Sequence, residues 1–289
     1  MGSGFDTALG EITLVLFTTL APSGALAFVL MSAAALHAQG DERARINRFL
    51  FIPLFVSLIG LVASATHLGN PDNALYVFTQ VGHSPLSNEV FAAVAFMGLA
   101  GVYWLYQFAE HARPAVQRVW LVATMAAAMA FVATVAFAYA GRTIVTRNMP
   151  LVPVALCLNA LVGGPVLAVA SLCAAKWEPA GQGFGRVLLA VSTVALVANA
   201  AVYVMQGVDL AGIQNAVGSA AALVPHYGAM VLAFAMLAAV GLLMATAPLF
   251  RHKPLSGRRA ATAVGLVYAG IFVMRFAFYM THMTSGISL

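Results

Sequence analysis

The sequence predicts an all-α, polytopic integral membrane protein with eight transmembrane helices and both termini outside. Three observations carry that expectation. Hydrophobic residues make up 62% of the chain and charged residues only 8%, against roughly 25% charged in ordinary soluble domains. Eight apolar runs fall at 11–36, 49–67, 88–109, 117–140, 151–175, 186–206, 223–248 and 260–282, and about 20 such residues cross the hydrocarbon as a helix. Eleven of the 14 Lys and Arg residues lie in alternate connections, which the positive-inside rule assigns to the cytoplasm. The net charge of +5 is a product of this loop bias and indicates no nucleic-acid partner. Short connections without linker composition make residues 1–289 a single membrane domain.

The opening Met1-Gly2-Ser3-Gly4-Phe5-Asp6 lacks the basic n-region of a signal peptide, and the run after it is too long for an h-region, so no cleavage is expected. Pro22 bounds or kinks the first span, and the connection after it carries Arg43, Arg45 and Arg48. In the second span Ser57, Ser64 and His67 recur at intervals of seven and three, one stripe expected to face the bundle interior. At a rise of about 1.5 Å per residue the polypeptide climbs roughly 28 Å from Arg48 to His67, which brings the imidazole to the outer interface. Gly69-Asn70-Pro71 then stops the helix. Ser84 caps the return helix with Pro85 at its first position, or Ser87 caps instead, and either choice leaves Glu89 near an exposed helix start.

Arg113 and Arg118 precede the fourth span, and Arg142 and Arg147 occupy the outer connection after it. The fifth span holds Pro165 together with Cys157 and Cys173, which are sixteen residues apart and read as apolar filler. Lys176 and Arg186 lead into the sixth span, the longer connection 207–222 follows, and Pro225 opens or kinks the seventh. Arg251, Lys253, Arg258 and Arg259 precede the eighth, where Arg275, Tyr279 and His282 follow i, i+4, i+7 and line one helical face. A cation as deep as Arg275 needs a partner or water, and Glu89 and Glu11 are the candidates.

His67 and Glu89 thus face each other across one loop that lacks Lys and Arg. Each has a plainer reading: Glu89 complements a helix N-terminus, and His67 bonds a loop carbonyl. Their shared depth is what points to proton handling. One group donates or accepts near neutral pH while the other carries a proton away, as oxidation of a hydroquinone requires.

At these residues the protein resembles the membrane-anchor subunit of the bacterial dimethyl sulfoxide reductase family. The likeness rests on Met1-Gly2-Ser3-Gly4 with Leu14-Val15-Leu16-Phe17-Thr18, on His67-Leu68-Gly69-Asn70-Pro71 and Leu86-Ser87-Asn88-Glu89, and on Arg275-Phe276-Ala277-Phe278-Tyr279 with His282-Met283-Thr284. The resemblance implies an anchor without haem in the bacterial cytoplasmic membrane that serves anaerobic respiration. Such an anchor draws menaquinol from the quinone pool, oxidises it near the periplasmic face and passes electrons to an iron–sulfur subunit. Its partners would be a four-cluster ferredoxin-like subunit and a molybdopterin catalytic subunit, so iron–sulfur clusters and molybdopterin lie outside this polypeptide. It also implies that His67 and Glu89 line the quinol site, which Arg275, Tyr279 and His282 complete.

Competing classes remain. A transporter would carry ionisable residues or broken helices near the bilayer midplane, whereas these groups cluster at the two ends. A haem protein would show paired axial histidines; no mid-membrane pair is evident, although an outer pair such as His67 with His282 stays open. A purely structural anchor would use the outer polar residues only to dock a soluble partner. Inner-half acidic residues are sparse, so quinol protons are expected to leave on the outer side.

Overall fold

The computed structural model describes residues 4–67, 71–109, 113–141, 144–177, 183–215, 218–251 and 254–283. Among these residues, eight helices are long and apolar enough to span a bilayer. The short helix α1 (Gly4–Gly10) precedes the first of them, α2 (Ile12–His37). The second span is built in two pieces, the polar α3 (Gly40–Phe49) and the apolar α4 (Phe51–Ala65). There follow α5 (Pro85–Tyr106), α6 (Pro114–Ala138), α7 (Leu151–Ala174) and α8 (Gly183–Gly212). After two short antiparallel strands, Gln214–Asn215 and Gly218–Ser219, and the single turn α9 (Ala220–Leu223) come α10 (Tyr227–Phe250) and α11 (Gly257–Met280).

Helices α2 and α7 form the centre. They bury 72% of their most apolar stretch inside the bundle, against 33–44% for the other six, whose outward sides are left for lipid. In hydrocarbon no hydrophobic force drives helices together, so close approach depends on small side chains. On α2 the run Ala21-Pro22-Ser23-Gly24-Ala25 is wholly buried. A Cβ on Gly60 of α4 would stand 2.9 Å from the Ala21 backbone nitrogen, so glycine is what permits this helix contact. The Ser57 hydroxyl donates to the Ala21 carbonyl across the same interface (3.3 Å).

Of the three prolines expected to kink or bound helices, Pro22 lies inside α2 and Pro165 inside α7, while Pro225 bounds α10. Pro22 removes the backbone bond that would reach the Thr18 carbonyl and so loosens the helix beside Thr18. Both described ends of the polypeptide reach one face of the bundle: Phe5 meets Phe276 at 5.3 Å between ring centroids, and a Cβ on Gly4 would collide with the Leu223 and Met280 carbonyls. We call this the terminal face. At the opposite face Asn47 Nδ2 and Gln117 Nε2 both donate to Gln107 Oε1 at 3.0 Å, and the Tyr103 hydroxyl donates to Asn47 Oδ1 at 3.2 Å, tying α3, α5 and α6.

Among the differences from expectation, three bear on the site. The sixth helix runs on to Gly212, the connection beyond His67 contains a 3₁₀ run at Pro71–Gln80, and the last helix stops at Met280. His282 therefore lies past the helix end, and only Arg275 and Tyr279 of the expected three-residue face sit on it. The Gly69-Asn70 stop signal, Arg142, Lys253 and Thr284 lie outside the described residues.

Candidate functional site

The terminal face gathers a polar cluster from five separate segments. Ser84 caps α5 by accepting from the Ser87 backbone nitrogen (3.5 Å), with Pro85 at the first helical position. Just before it Gly82 takes a left-handed backbone (φ +88°), and its N–H donates to Asn88 Oδ1 at 2.6 Å. This turn sets Glu89 more than one turn into α5 and facing inward. Glu89 is not at an exposed helix start: it is 4% exposed, and its Oε2 has no hydrogen-bond partner. A surface complement to the helix N-terminus does not account for a carboxylate in that position.

His67 follows the end of α4, its backbone N–H bonding the Ser64 carbonyl at 3.0 Å. Ser57 is fully buried, whereas the His67 ring is 41% exposed. Its Nε2 stands 3.1 Å from Glu11 Oε2, across from the start of α2. The polar stripe on α4 thus emerges from the core to meet Glu11. Asn70 and the side chain of Asp72, which could have reached the same region, lie outside the described residues.

Arg275 is 2% exposed. Its partner is neither of the expected carboxylates. Its Nε donates to Thr18 Oγ1 at 2.9 Å, and Thr18 in turn donates to the Leu14 carbonyl at 2.8 Å. The guanidinium lies 4.2 Å from the Phe278 ring centroid, 5.6 Å from that of Tyr279 and 5.7 Å from that of Tyr139. Aromatic faces and one hydroxyl compensate the buried cation, and its Nη2 remains without a hydrogen bond. The buried Tyr279 hydroxyl, although close to Tyr139 and Thr18, also closes no bond of good geometry.

Two residues join these parts. Tyr139, at the end of α6, stacks edge-on against Tyr279 (6.1 Å) and lies within electrostatic reach of Glu89, Tyr279 and Arg275. Arg147, in the next connection, sits 4.8 Å from the Phe278 centroid and 5.2 Å from that of Tyr279. Thr146 beside it donates to the Thr281 carbonyl at 2.5 Å, fastening this connection to the end of α11. His282 is half-buried, and burial and the Arg147 charge hold its imidazole below the ordinary range, with Glu11 opposing them.

That depression has a sign. Above its ordinary value of 6.5 His282 is neutral folded or unfolded; as pH falls through that value the unfolded state takes up the proton first, so stability is lost toward acid. Thermal unfolding measured between about pH 7 and about pH 5 is expected to show this loss, with a shallower slope in His282→Gln. An unchanged slope would mean that His282 titrates alike in both states.

Glu11 could be suspected from sequence, and Thr18 lies in the Leu14–Thr18 stretch that carries the family likeness, but Tyr139 and Arg147 could not, because a loop arginine and a helix-end tyrosine carry no motif. A further polar group lies deeper. Asn199 Nδ2 donates to Asn159 Oδ1 and Asn159 Nδ2 to the Tyr203 hydroxyl, both at 2.8 Å, and Gln206 is buried nearby on α8. Asn199, Tyr203 and Gln206 follow i, i+4, i+7, a signal of the kind that marked Arg275 and Tyr279. A cavity of about 20 Å³, enough for one water, lies between Tyr203, Gln206 and Arg275, with Met149, Phe278 and Thr281 in its wall. Chemically, the cluster presents a fixed cation, a buried carboxylate and a phenol with unsatisfied bonding capacity, next to a water-exposed imidazole–carboxylate pair. Such a set suits a polar ring that bears both donors and acceptors.

The profile of the DMSO reductase anchor subunit (DmsC) matches residues 1–280. The anaerobic dimethyl sulfoxide reductase of Escherichia coli (strain K12) includes a polypeptide 33% identical to this one over 294 residues, with 100% of this protein and 99% of that one covered. Its namesake from Haemophilus influenzae (strain ATCC 51907 / DSM 11121 / KW20 / Rd) is 33% identical over 286 residues, covering 98% and 99%. Among solved structures, bd oxidase from Geobacillus thermodenitrificans superposes with a TM-score of 0.58 at 12% identity, over 98% of this protein and 88% of that one, a likeness of fold alone.

Proposed function

Because the protein belongs to the DMSO reductase anchor-subunit family, we propose that it binds menaquinol at the terminal-face cluster, oxidises it, and delivers the electrons to an iron–sulfur subunit docked on that face. The observation that carries this reading is the set of buried, unpartnered polar atoms on Arg275, Glu89 and Tyr279. A buried polar group without a partner costs roughly 1–3 kcal/mol and more when charged, and a quinol ring, which bears two hydroxyls, relieves that cost.

Oxidation of one quinol releases two protons and two electrons. The Arg275 fork holds one ring oxygen as negative charge develops there, the Glu89 carboxylate accepts one hydroxyl proton, and the His67 imidazole accepts the other. The pair His67–Glu11, with the His67 ring partly open to solvent, hands protons to water at the terminal face. Because the sequence sets eleven of its 14 Lys and Arg residues at or beside the span ends away from His67 and Glu89, that release is periplasmic. The electrons leave to clusters held by the partner, which supplies the molybdopterin subunit in turn. Titration of the purified anchor with a quinol-site inhibitor should give saturable fluorescence quenching that His67→Ala weakens, with no Soret band in the absorption spectrum. Lack of saturable binding, or a Soret band, would overturn the reading.

The docking surface lies beside the site. In the 3₁₀ run Leu75 is 77%, Tyr76 68% and Phe78 38% exposed, an apolar patch on a connection without Lys or Arg. Photo-cross-linkers placed at 75, 76 and 78 should capture the iron–sulfur subunit. Capture only from the 38–48 or 254–259 connections would reverse the sidedness.

A further inference from the structure

A second cavity opens on the lipid-facing side of the bundle. Between the end of α6 and the start of α7 lies a groove of about 710 Å³, walled by Phe137, Ala140, Met149, Pro153, Val154 and Cys157. Its volume falls within the range of about 300–1,000 Å³ usual for small-molecule sites. Phe137 is 67% and Val154 44% exposed, so the groove faces the position of lipid rather than another part of the protein. Pro150 and Pro153 stiffen the first turn of α7 at its mouth.

Met149 lines this groove and also the small cavity that reaches Arg275, Gln206 and Tyr203. Met149 is the residue that the lipid-facing groove and the cavity beside the buried guanidinium share. The connection that carries Met149 also carries Arg147, and the residue just before Ala140 is Tyr139, both members of the polar cluster. An apolar groove that shares a wall residue with a cavity lined by Arg275 fits an amphiphile with a polar head and a long hydrocarbon tail.

We infer that the quinol reaches its site laterally from the membrane between α6 and α7, with its isoprenoid tail lying in this groove and Met149 as the side chain that moves aside for the ring. The inference rests on the quinol-oxidising reading above and adds the route and the tail site. Met suits this position because its unbranched thioether changes rotamer readily. Tail contacts along the groove contribute affinity without touching the reacting ring, so they act on KM rather than kcat.

The native cysteines provide the test. Cys157 lies in the groove wall and Cys173 at the far end of α7, and both are half-buried free thiols. In the purified complex, maleimide labelling of each thiol is followed by mass spectrometry with a long-chain menaquinone or with tail-less 2,3-dimethyl-1,4-naphthoquinone present. The long-chain quinone should slow labelling of Cys157 and leave Cys173 unchanged, and the tail-less ring should slow neither. Val154→Trp, which fills the groove from its exposed side, should raise KM for the long-chain quinol about tenfold, the equivalent of roughly two buried methylenes, with kcat and the KM for the tail-less quinol retained. If Cys157 labels at the same rate with either quinone and Val154→Trp leaves KM unchanged, while wild-type turnover still depends on Glu89, the lateral route fails and the quinol site stands. Cys157 protection that is present without quinone and indifferent to it would assign the groove to a phospholipid tail and overturn the proposed tail site. Absence of quinol turnover in the wild-type complex would overturn both readings together.

Discussion

A complex carrying Glu89→Gln is expected to lose quinol-driven reduction by about 10²-fold or more, the usual scale for a missing general base, while an artificial dye that reduces the partner subunits directly still supports turnover. The amide keeps the size and hydrogen-bonding capacity of the side chain. Because Glu89 is 4% exposed, the amide replaces an ionisable group whose charged form is costly to bury, so assembly survives. The tolerance comes from neutralising an interior group, not from an exposed helix start. Equal loss of quinol-driven and dye-driven activity would point to failed assembly, and full retention of both would sink the proposed role of Glu89.

Arg275→Lys is expected to keep the complex assembled yet lower kcat/KM for quinol by roughly 10–100-fold, the value of one charge-assisted hydrogen bond of about 1.5–3 kcal/mol. Lysine retains the charge but loses the planar fork and the stacking on Phe278, 4.2 Å away. Arg275→Met sharpens the distinction. Replacing a buried cation by an apolar side chain of similar length is often neutral or stabilising, so a stable but quinol-inactive Met variant assigns Arg275 to the site. Wild-type turnover in the Lys variant, or collapse of the Met variant with dye-driven activity lost as well, would make Arg275 a packing residue.

The membrane class and its eight helices were legible in the sequence because a bilayer imposes a length and composition rule on every crossing segment, independent of what the segment touches. The runs around 11–36 and 151–175 read as spans for that reason, but nothing in them announced that α2 and α7 form the centre. That arrangement depends on small residues matched across helices, such as Gly60 against Ala21. The same division holds at the site. His67, Glu89, Arg275, Tyr279 and His282 stood out because polar groups beside hydrocarbon are rare, and the Ser84-Pro85 cap was readable from local turn chemistry. Which of them meet was decided by tertiary structure.

His67 faces Glu11 rather than a loop carbonyl, and Arg275 rests on Thr18 and three aromatic rings instead of a carboxylate. Glu89 turns into the core, while Tyr139 and Arg147, unmarked in the sequence, join the cluster. A single helix carries its polarity in its own periodicity, and the bilayer reads that polarity directly. Partners come from helices far apart in the sequence, so their identity follows only from the crossing geometry that buried small residues allow.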